Sequence, residues 1–379
     1  MAIGLGLLIR MAVVFSFPNL SNDIYRFLWD GHLIHEGISP LLELPSTLIK
    51  NPSLVDGYLE KLFPLLNSPD YYTVYPPISQ LVYYLATISE DWSYELSSIF
   101  IKSIMLAADA ITCFLLLRLL PLFKLGKSWV LAYFLNPLLI IEGCGQLHFE
   151  GIMVMFLAGM ILAIAKYRWV ISGVMLALSV GTKLLPLMFV PALAYYAGRN
   201  LLKALAGFSV VSLLLFIPYF WGIDLANFMT SINLYAKSFE FNSSFYFVLR
   251  SIGYWLTGYN QIGTIGPLLR LLTLVIILFL VFKCRPNSLL GLVKVCFLSF
   301  TTYLFLATTV HPWYLIMLIF FSVLLKKRWV WVWSGVVVLS YSTYIHDSFE
   351  PNLGLIVLEY AIVIAAIIYE YRNPIIEKA

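Results

Sequence analysis

Charged side chains are scarce in this chain. Asp, Glu, Lys and Arg make up 12% of its 379 residues, about half their share in a soluble globular domain. Hydrophobic residues make up 61% and the mean hydropathy is +0.88, which excludes a soluble fold. Cysteine is sparse as well. Cys113, Cys144, Cys284 and Cys296 form no Cys-X-X-Cys pair, so neither a disulfide framework nor a zinc site is expected. No Walker A loop, Gly-X-Gly-X-X-Gly turn or His-Glu-X-X-His helix occurs. Their absence argues against nucleotide hydrolysis, dinucleotide redox chemistry and zinc proteolysis. Segments of alternating polarity are missing, and with them a membrane barrel. There is no repeat of about 20–50 residues and no soluble domain. Residues 1–18 lack a small-residue cleavage site, so a cleaved signal peptide is not expected. The net charge of +4 follows from topology and gives no reason to invoke nucleic acid.

What the chain does have is a series of apolar runs of roughly 17–22 residues, the length that crosses a bilayer as helix. They predict an all-α polytopic membrane protein with about 12 transmembrane helices (11–13). The spans fall near 2–18, 97–118, 128–143, 149–165, 169–183, 184–198, 203–221, 263–282, 290–308, 312–325, 329–345 and 353–370. Lys124/Lys127, Lys166/Arg168, Arg199/Lys203, Lys283/Arg285 and Lys326/Lys327/Arg328 lie in short loops, which the positive-inside rule makes cytoplasmic. The acidic residues gather in 19–95, 222–240 and 346–350, expected on the other side. Counting residues 76–90 as a span would invert every later loop. The segment Pro76-Pro77-Ile78-Ser79-Gln80 is therefore expected to open an amphipathic surface helix, with proline in its first turn.

Two outer segments, 19–96 and 222–262, are long enough to build a site. In the first, Asp23, Arg26 and Asp30 share one face if 23–30 is helical. Asp23 would then serve as a general base or metal ligand, tuned by Arg26. The bland alternative is an interfacial helix with solvated charges and Trp29 as a membrane-surface anchor. At the turn between two spans, Glu142-Gly143-Cys144-Gly145-Gln146-Leu147-His148-Phe149-Glu150 brings four polar groups to one membrane boundary, where ionisable groups are costly and tend to be functional. Lys183, His311 and Glu240, with Lys237 and Arg250 near Glu240, stand at span ends or in the second outer segment. Cations there could grip a lipid-linked phosphate, or simply snorkel. Arg10, Lys102, Asp109, Arg270, Lys294 and Glu359 lie deeper, where interhelical pairing is expected, Arg10 with Asp109 as one pair.

These motifs, in this order, resemble the GT-C superfamily of membrane glycosyltransferases, closest in style to the bacterial polyprenol-phosphate-mannose-dependent enzymes. The resemblance covers the whole chain. It rests on Asn22-Asp23-Ile24-Tyr25-Arg26, Tyr75-Pro76-Pro77, Gln146-Leu147-His148-Phe149-Glu150, Thr182-Lys183-Leu184-Leu185-Pro186, Phe239-Glu240-Phe241-Asn242 and His311-Pro312-Trp313-Tyr314. It implies a single glycosyltransferase domain over 1–379 with surface helices in the first outer loop. It implies Asp23 as catalytic base, with His148, Glu150, Lys183 and His311 lining the donor phosphate and sugar pocket. Arg26, Asp30, Gln146, Glu240, Asn242 and Tyr314 are the remaining expected substrate-binding residues. No adjacent Asp-Asp, Asp-Glu or Asp-X-Asp pair of the metal-using members is present, so no metal ligand and no cofactor is assigned.

The expected partners are a polyprenyl-phosphate-linked sugar, a lipid-linked or glycan acceptor and membrane lipid. One carboxylate plus phosphate-binding cations suffices for an inverting displacement, whereas retention asks for a second carboxylate close by. Mannose follows from the resemblance alone. The expected location is the bacterial inner membrane, with the site on the periplasmic side. A transporter or flippase of lipid-linked saccharides is the alternative, although transporters gather polar groups near the midplane rather than at one face. A polysaccharide polymerase or ligase would differ mainly in transferring whole chains.

Overall fold

The computed structural model describes residues 2–89, 92–223, 225–344 and 350–373. Of the outer segments, residues 90–91, 224 and 346–349 lie outside the described residues. The fold is all-helical. The one extended pairing among the described residues is a lone parallel bridge between Phe241 and Thr309.

Helix runs through most of each predicted span, with a break inside 128–143, but the helices long and apolar enough to cross a bilayer number five or six among the described residues, not the expected twelve or so. Five helices are long and apolar enough to cross a bilayer: Tyr94–Phe123, Leu185–Tyr219, Ile262–Cys284, Leu289–Leu306 and Leu353–Arg372. Lys127–Phe134 and Leu139–Gly145 make a sixth if taken as one broken span bent by 63°. The run 128–143 reads as one continuous helix in the sequence, but Pro137 lacks the N–H that would continue it. Asn136 Oδ1 instead accepts the N–H of Leu138 at 3.0 Å, and the chain restarts with π winding.

The chain divides into two compact units. The first comprises Met1–Leu135 and Leu139–Asn233. In it the Ala2–Val14 helix packs on Tyr94–Leu119, and Lys102 Nζ donates to Val13 O (3.3 Å) and Ser16 O (2.5 Å). That ammonium satisfies carbonyls left open where the first helix ends. Trp169–Thr182 and Leu201–Tyr219 pack so closely that Gly173 faces the Ala204 carbonyl and Gly207 that of Val170. Further along, Gly181 meets Leu215, so the two helices advance in the same sense. Between Val190–Ala197 and Leu201–Tyr219, Gly198 (φ 51°, ψ −121°) departs from the right-handed backbone.

The layer that carries the first outer segment is built on Asp23–His35 and Pro77–Ala86. Pro77 occupies the first turn of its helix, where its missing N–H costs nothing. The two helices pack through aromatic rings. Phe27 stacks on Tyr83 at 4.4 Å, and Phe149 meets both edge-on at 5.8 and 5.3 Å. Each such pair contributes about 0.5–1.5 kcal/mol beyond its buried area.

The second unit comprises Asn136–Leu138 and Leu234–Ala379. Its framework is Ile262–Cys284 against Leu289–Leu306, with Leu315–Leu325, Trp329–Val336 and Leu353–Arg372. Phe241 N–H donates to Thr308 O at 3.0 Å and Val310 N–H to Phe241 O at 2.8 Å, which stitches residues 239–244 to 305–310.

Candidate active site

Asp23 is the first residue of the Asp23–His35 helix, where an acidic side chain complements the helix macrodipole. It is half-buried. Asn67 Nδ2 donates to its Oδ1 at 2.7 Å, the one hydrogen bond to this carboxylate among the described residues.

One turn further in, Arg26 and Asp30 form an i,i+4 pair, Nε to Oδ1 at 2.8 Å. Both are buried, and Asp30 is fully enclosed. Gln80 Nε2, from the Pro77–Ala86 helix, takes the other Asp30 oxygen at 2.9 Å and also reaches Thr73 Oγ1 at 3.0 Å. With both oxygens occupied, Asp30 holds Arg26 and Gln80 and offers no open ligand. Arg26 Nη1 reaches out to Tyr71 O (2.8 Å) and Ser68 O (3.1 Å).

Tyr83 completes the surroundings. Its ring is fully buried, and its hydroxyl has no hydrogen-bond partner among the described residues. Burial pushes this phenol well above its ordinary range, and Tyr75, Asp30, Asp23 and Tyr219 add to the effect. The hydroxyl therefore stays protonated and available as a donor.

The other expected cluster lies in the same unit. Gln146 Oε1 accepts the backbone N–H groups of Asn19 (3.1 Å) and Leu20 (2.9 Å), which anchors the chain just ahead of Asp23. His148 Nε2 stands 3.3 Å from Glu142 Oε2, both buried. Leu147 between them has a left-handed backbone (φ 66°), an unusual conformation for a bulky residue. Glu150 opens the Glu150–Ala165 helix, fully buried, and pairs with Lys183 at the end of Trp169–Thr182. Ser79 Oγ donates to Thr182 O at 2.9 Å, tying the Pro77–Ala86 helix to the turn that carries Lys183.

Glu240, Asn242, His311 and Tyr314 belong to the second unit. Glu240 is met by Arg250 Nη2 (3.2 Å), Tyr246 Oη (2.5 Å) and Asn260 Nδ2 (3.1 Å). Burial, then the Glu240 carboxylate, pushes the Tyr246 phenol upward. Asn242 has a left-handed backbone (φ 45°) and is fully buried. Its side chain donates to Glu359 Oε1 at 3.1 Å, while Tyr360 Oη donates to its carbonyl at 2.8 Å. The His311 ring stacks between Phe241 (4.8 Å) and Trp313 (4.3 Å), with Tyr314 edge-on at 5.4 Å.

Residues 10–199 match a family described as alpha-(1->6)-mannopyranosyltransferase, N-terminal domain. The match covers half of the chain and takes in every expected site residue of the first unit. The chain belongs to that family. It is a GT-C type mannosyltransferase family, so this is a membrane-embedded transferase acting between a sugar donor and a glycan acceptor. Membership favours transfer chemistry over saccharide transport. A comparison with curated proteins finds no match for the chain.

Sequence reasoning did not assign Asn67, Thr73 or Tyr83 to the site. The pattern of Gln80 and Tyr83, three apart on one helix face, was the only available signal. Nothing local marks Asn67, whose partner lies 44 residues earlier.

Proposed function

We propose that this mannosyltransferase takes mannose from a polyprenyl-phosphate-linked donor and passes it, with inversion, to a lipid-linked or glycan acceptor, with Asp23 as general base. The observation that carries this reading is the contrast between two carboxylates on one helix. Asp23 is half-buried at the helix entrance with one hydrogen bond, whereas Asp30 is enclosed with both oxygens taken.

In the reaction, Asp23 removes the proton of the acceptor hydroxyl as that oxygen bonds to C1 of the sugar. The bond from C1 to the phosphate oxygen breaks, and polyprenyl phosphate leaves with the electron pair. A positioned base contributes about 10²–10⁴-fold to such a step. The family description carries an α-(1→6) linkage, so we take the acceptor group to be a primary 6-hydroxyl. An α product by single displacement requires a β-linked donor. A retaining path would need a second carboxylate about 5–5.5 Å away and free to attack, a role for which Asp30 is unsuited.

Lys183 and His148 are assigned to the donor phosphate, where charge-assisted hydrogen bonds are strongest, and His311, in the second unit, keeps the substrate role that the sequence motifs give it. Glu150 is assigned to the orientation of Lys183 and the sugar, and Gln146 to the approach to Asp23. Glu240, Asn242 and Tyr314 remain assigned to substrate by the sequence motifs. In this reading residues 1–379 act as one transferase, with 19–96 and 222–262 on the periplasmic face of a bacterial inner membrane. No metal is required.

The test is transfer of radiolabelled mannose from synthetic β-linked polyprenyl-phosphate-mannose by purified protein to a membrane glycolipid extract. Wild type and Asp23→Asn run side by side, each with and without EDTA. Label moved by wild type and lost in Asp23→Asn is the expected result. Equal transfer by both would remove Asp23 from the base role, and loss with EDTA would bring in a metal. A sugar nucleotide succeeding where the polyprenyl donor fails would overturn the donor.

A further inference from the structure

We infer that Asn67 is a positioning residue for the Asp23 carboxylate, presented by a loop, residues 67–75, that Arg26 clamps in place. This inference rests on the reading of Asp23 as the base.

The loop contains no helix or strand, so its backbone groups need partners from elsewhere. It obtains them from several separate elements. Arg26 Nη1 holds the carbonyls of Ser68 and Tyr71. Ser46 N–H donates to Pro69 O at 2.9 Å. Ser231 Oγ donates to Tyr72 O at 2.8 Å, and Tyr219 Oη to Tyr75 O at 2.8 Å. Gln80 binds Thr73 while holding Asp30. A stretch secured at this many points is rigid, and its leading residue is the one that donates to Asp23.

Stability does not explain the arrangement. A buried ion pair such as Arg26–Asp30 gains little or nothing over apolar packing, because both charges lose their water. What the pair does is lock the guanidinium, leaving its outer edge aimed at the loop. Asn67 itself is exposed, where a single hydrogen bond adds little to folding. Its amide has a specific consequence for chemistry. By taking Oδ1 at 2.7 Å, it fixes the rotation of the carboxylate and leaves the second oxygen to face the acceptor hydroxyl. Positioning errors near 1 Å cost about 10²-fold in rate, so a freely rotating base would be a poor one.

The experiment compares kcat and donor KM for wild type, Asn67→Ala, Asn67→Asp, Asp23→Asn and the double variant Asp23→Asn/Asn67→Ala. Asn67→Asp keeps the shape of the side chain, removes the amide donor and sets a second carboxyl beside Asp23. Thermal unfolding of each protein is followed in parallel. The expected result is a fall of about 10- to 100-fold in kcat for both Asn67 variants, with donor KM within about threefold of wild type and unfolding unchanged. Single-turnover assays at high enzyme concentration read the residual rate of Asp23→Asn, about 10²–10⁴-fold below wild type, and on that background Asn67→Ala should lower it by less than about twofold. Wild-type kcat in Asn67→Ala beside an inactive Asp23→Asn would overturn this inference and leave the base intact. An equal loss with and without Asp23 would also overturn it, since the effect would then not run through the carboxylate. Wild-type turnover by Asp23→Asn would overturn the base reading itself.

Discussion

Arg10 and Asp109 meet at 2.7 Å, Nε to Oδ2, both side chains buried between the first helix and Tyr94–Leu119. The guanidinium also donates to Phe134 O at 2.7 Å and lies 4.2 Å from the Phe134 ring centre. Removing one member leaves an uncompensated buried charge, which costs about 3–5 kcal/mol. Arg10→Met and Asp109→Leu should each lower thermal stability in detergent and the yield of folded protein. The double variant should recover most of the loss; a double variant as unstable as the singles would show that the pair is not the cause.

Gln146 holds the two backbone N–H groups that lead into the helix of Asp23. Gln146→Ala frees them, and Asp23, the proposed base, loses part of its anchorage. We expect kcat to fall about tenfold with little change in unfolding temperature. Gln146→Glu keeps an acceptor oxygen at the same reach and should restore most of the rate, as steady-state kinetics would read directly.

Gly173 and Gly207 are where two helices touch backbone to backbone. A Cβ on Gly173 would stand 1.9 Å from Ala204 O, and one on Gly207 2.1 Å from Val170 O. Either alanine forces the helices apart, with a cost of about 3 kcal/mol or more expected from overpacking. Gly335, inside Trp329–Val336, has open space around it. Gly335→Ala is therefore the control, neutral or stabilising by up to about 1 kcal/mol. Thermal unfolding separates the three.

Asp56 caps the Gly57–Leu62 helix, accepting from Tyr58 N–H (3.1 Å) and Leu59 N–H (2.9 Å), and meets His32 Nε2 at 2.7 Å. Burial acts to raise its pKa, but the Leu59 N–H, His32 and the Tyr58 N–H together hold it below the ordinary 3.8. A carboxyl lowered in the folded state adds stability above its unfolded value, and that contribution disappears as pH falls through the folded value. Asp56→Ala should cost about 1 kcal/mol at neutral pH, as lost caps do. The difference from wild type should close below pH 3.8, read from unfolding curves at several pH values. A gap that stays constant down through this range would rule out the carboxylate as its source.

Much of the architecture is legible locally. Apolar runs, the proline at the start of Pro77–Ala86, and the Arg10–Asp109 pair all follow from composition and from the cost of burying lone charges. Asp23, Arg26 and Asp30 could be placed on one helical face by spacing alone. The break after Phe134 is less legible, because the apolar composition of that run masks the effect of Pro137.

The roles within the site were not legible in the same way. Spacing treats Asp23 and Asp30 alike, yet one remains open and the other is sealed. The groups that seal Asp30 and hold Asp23, Gln80 and Asn67, sit 50 and 44 residues away. Helical periodicity and hydrophobic length are properties of neighbouring residues, and so the membrane class and the all-helical character are written along the chain. Which carboxylate keeps its exposure depends on partners delivered by other elements, and chain closure over such distances leaves no trace in local pattern.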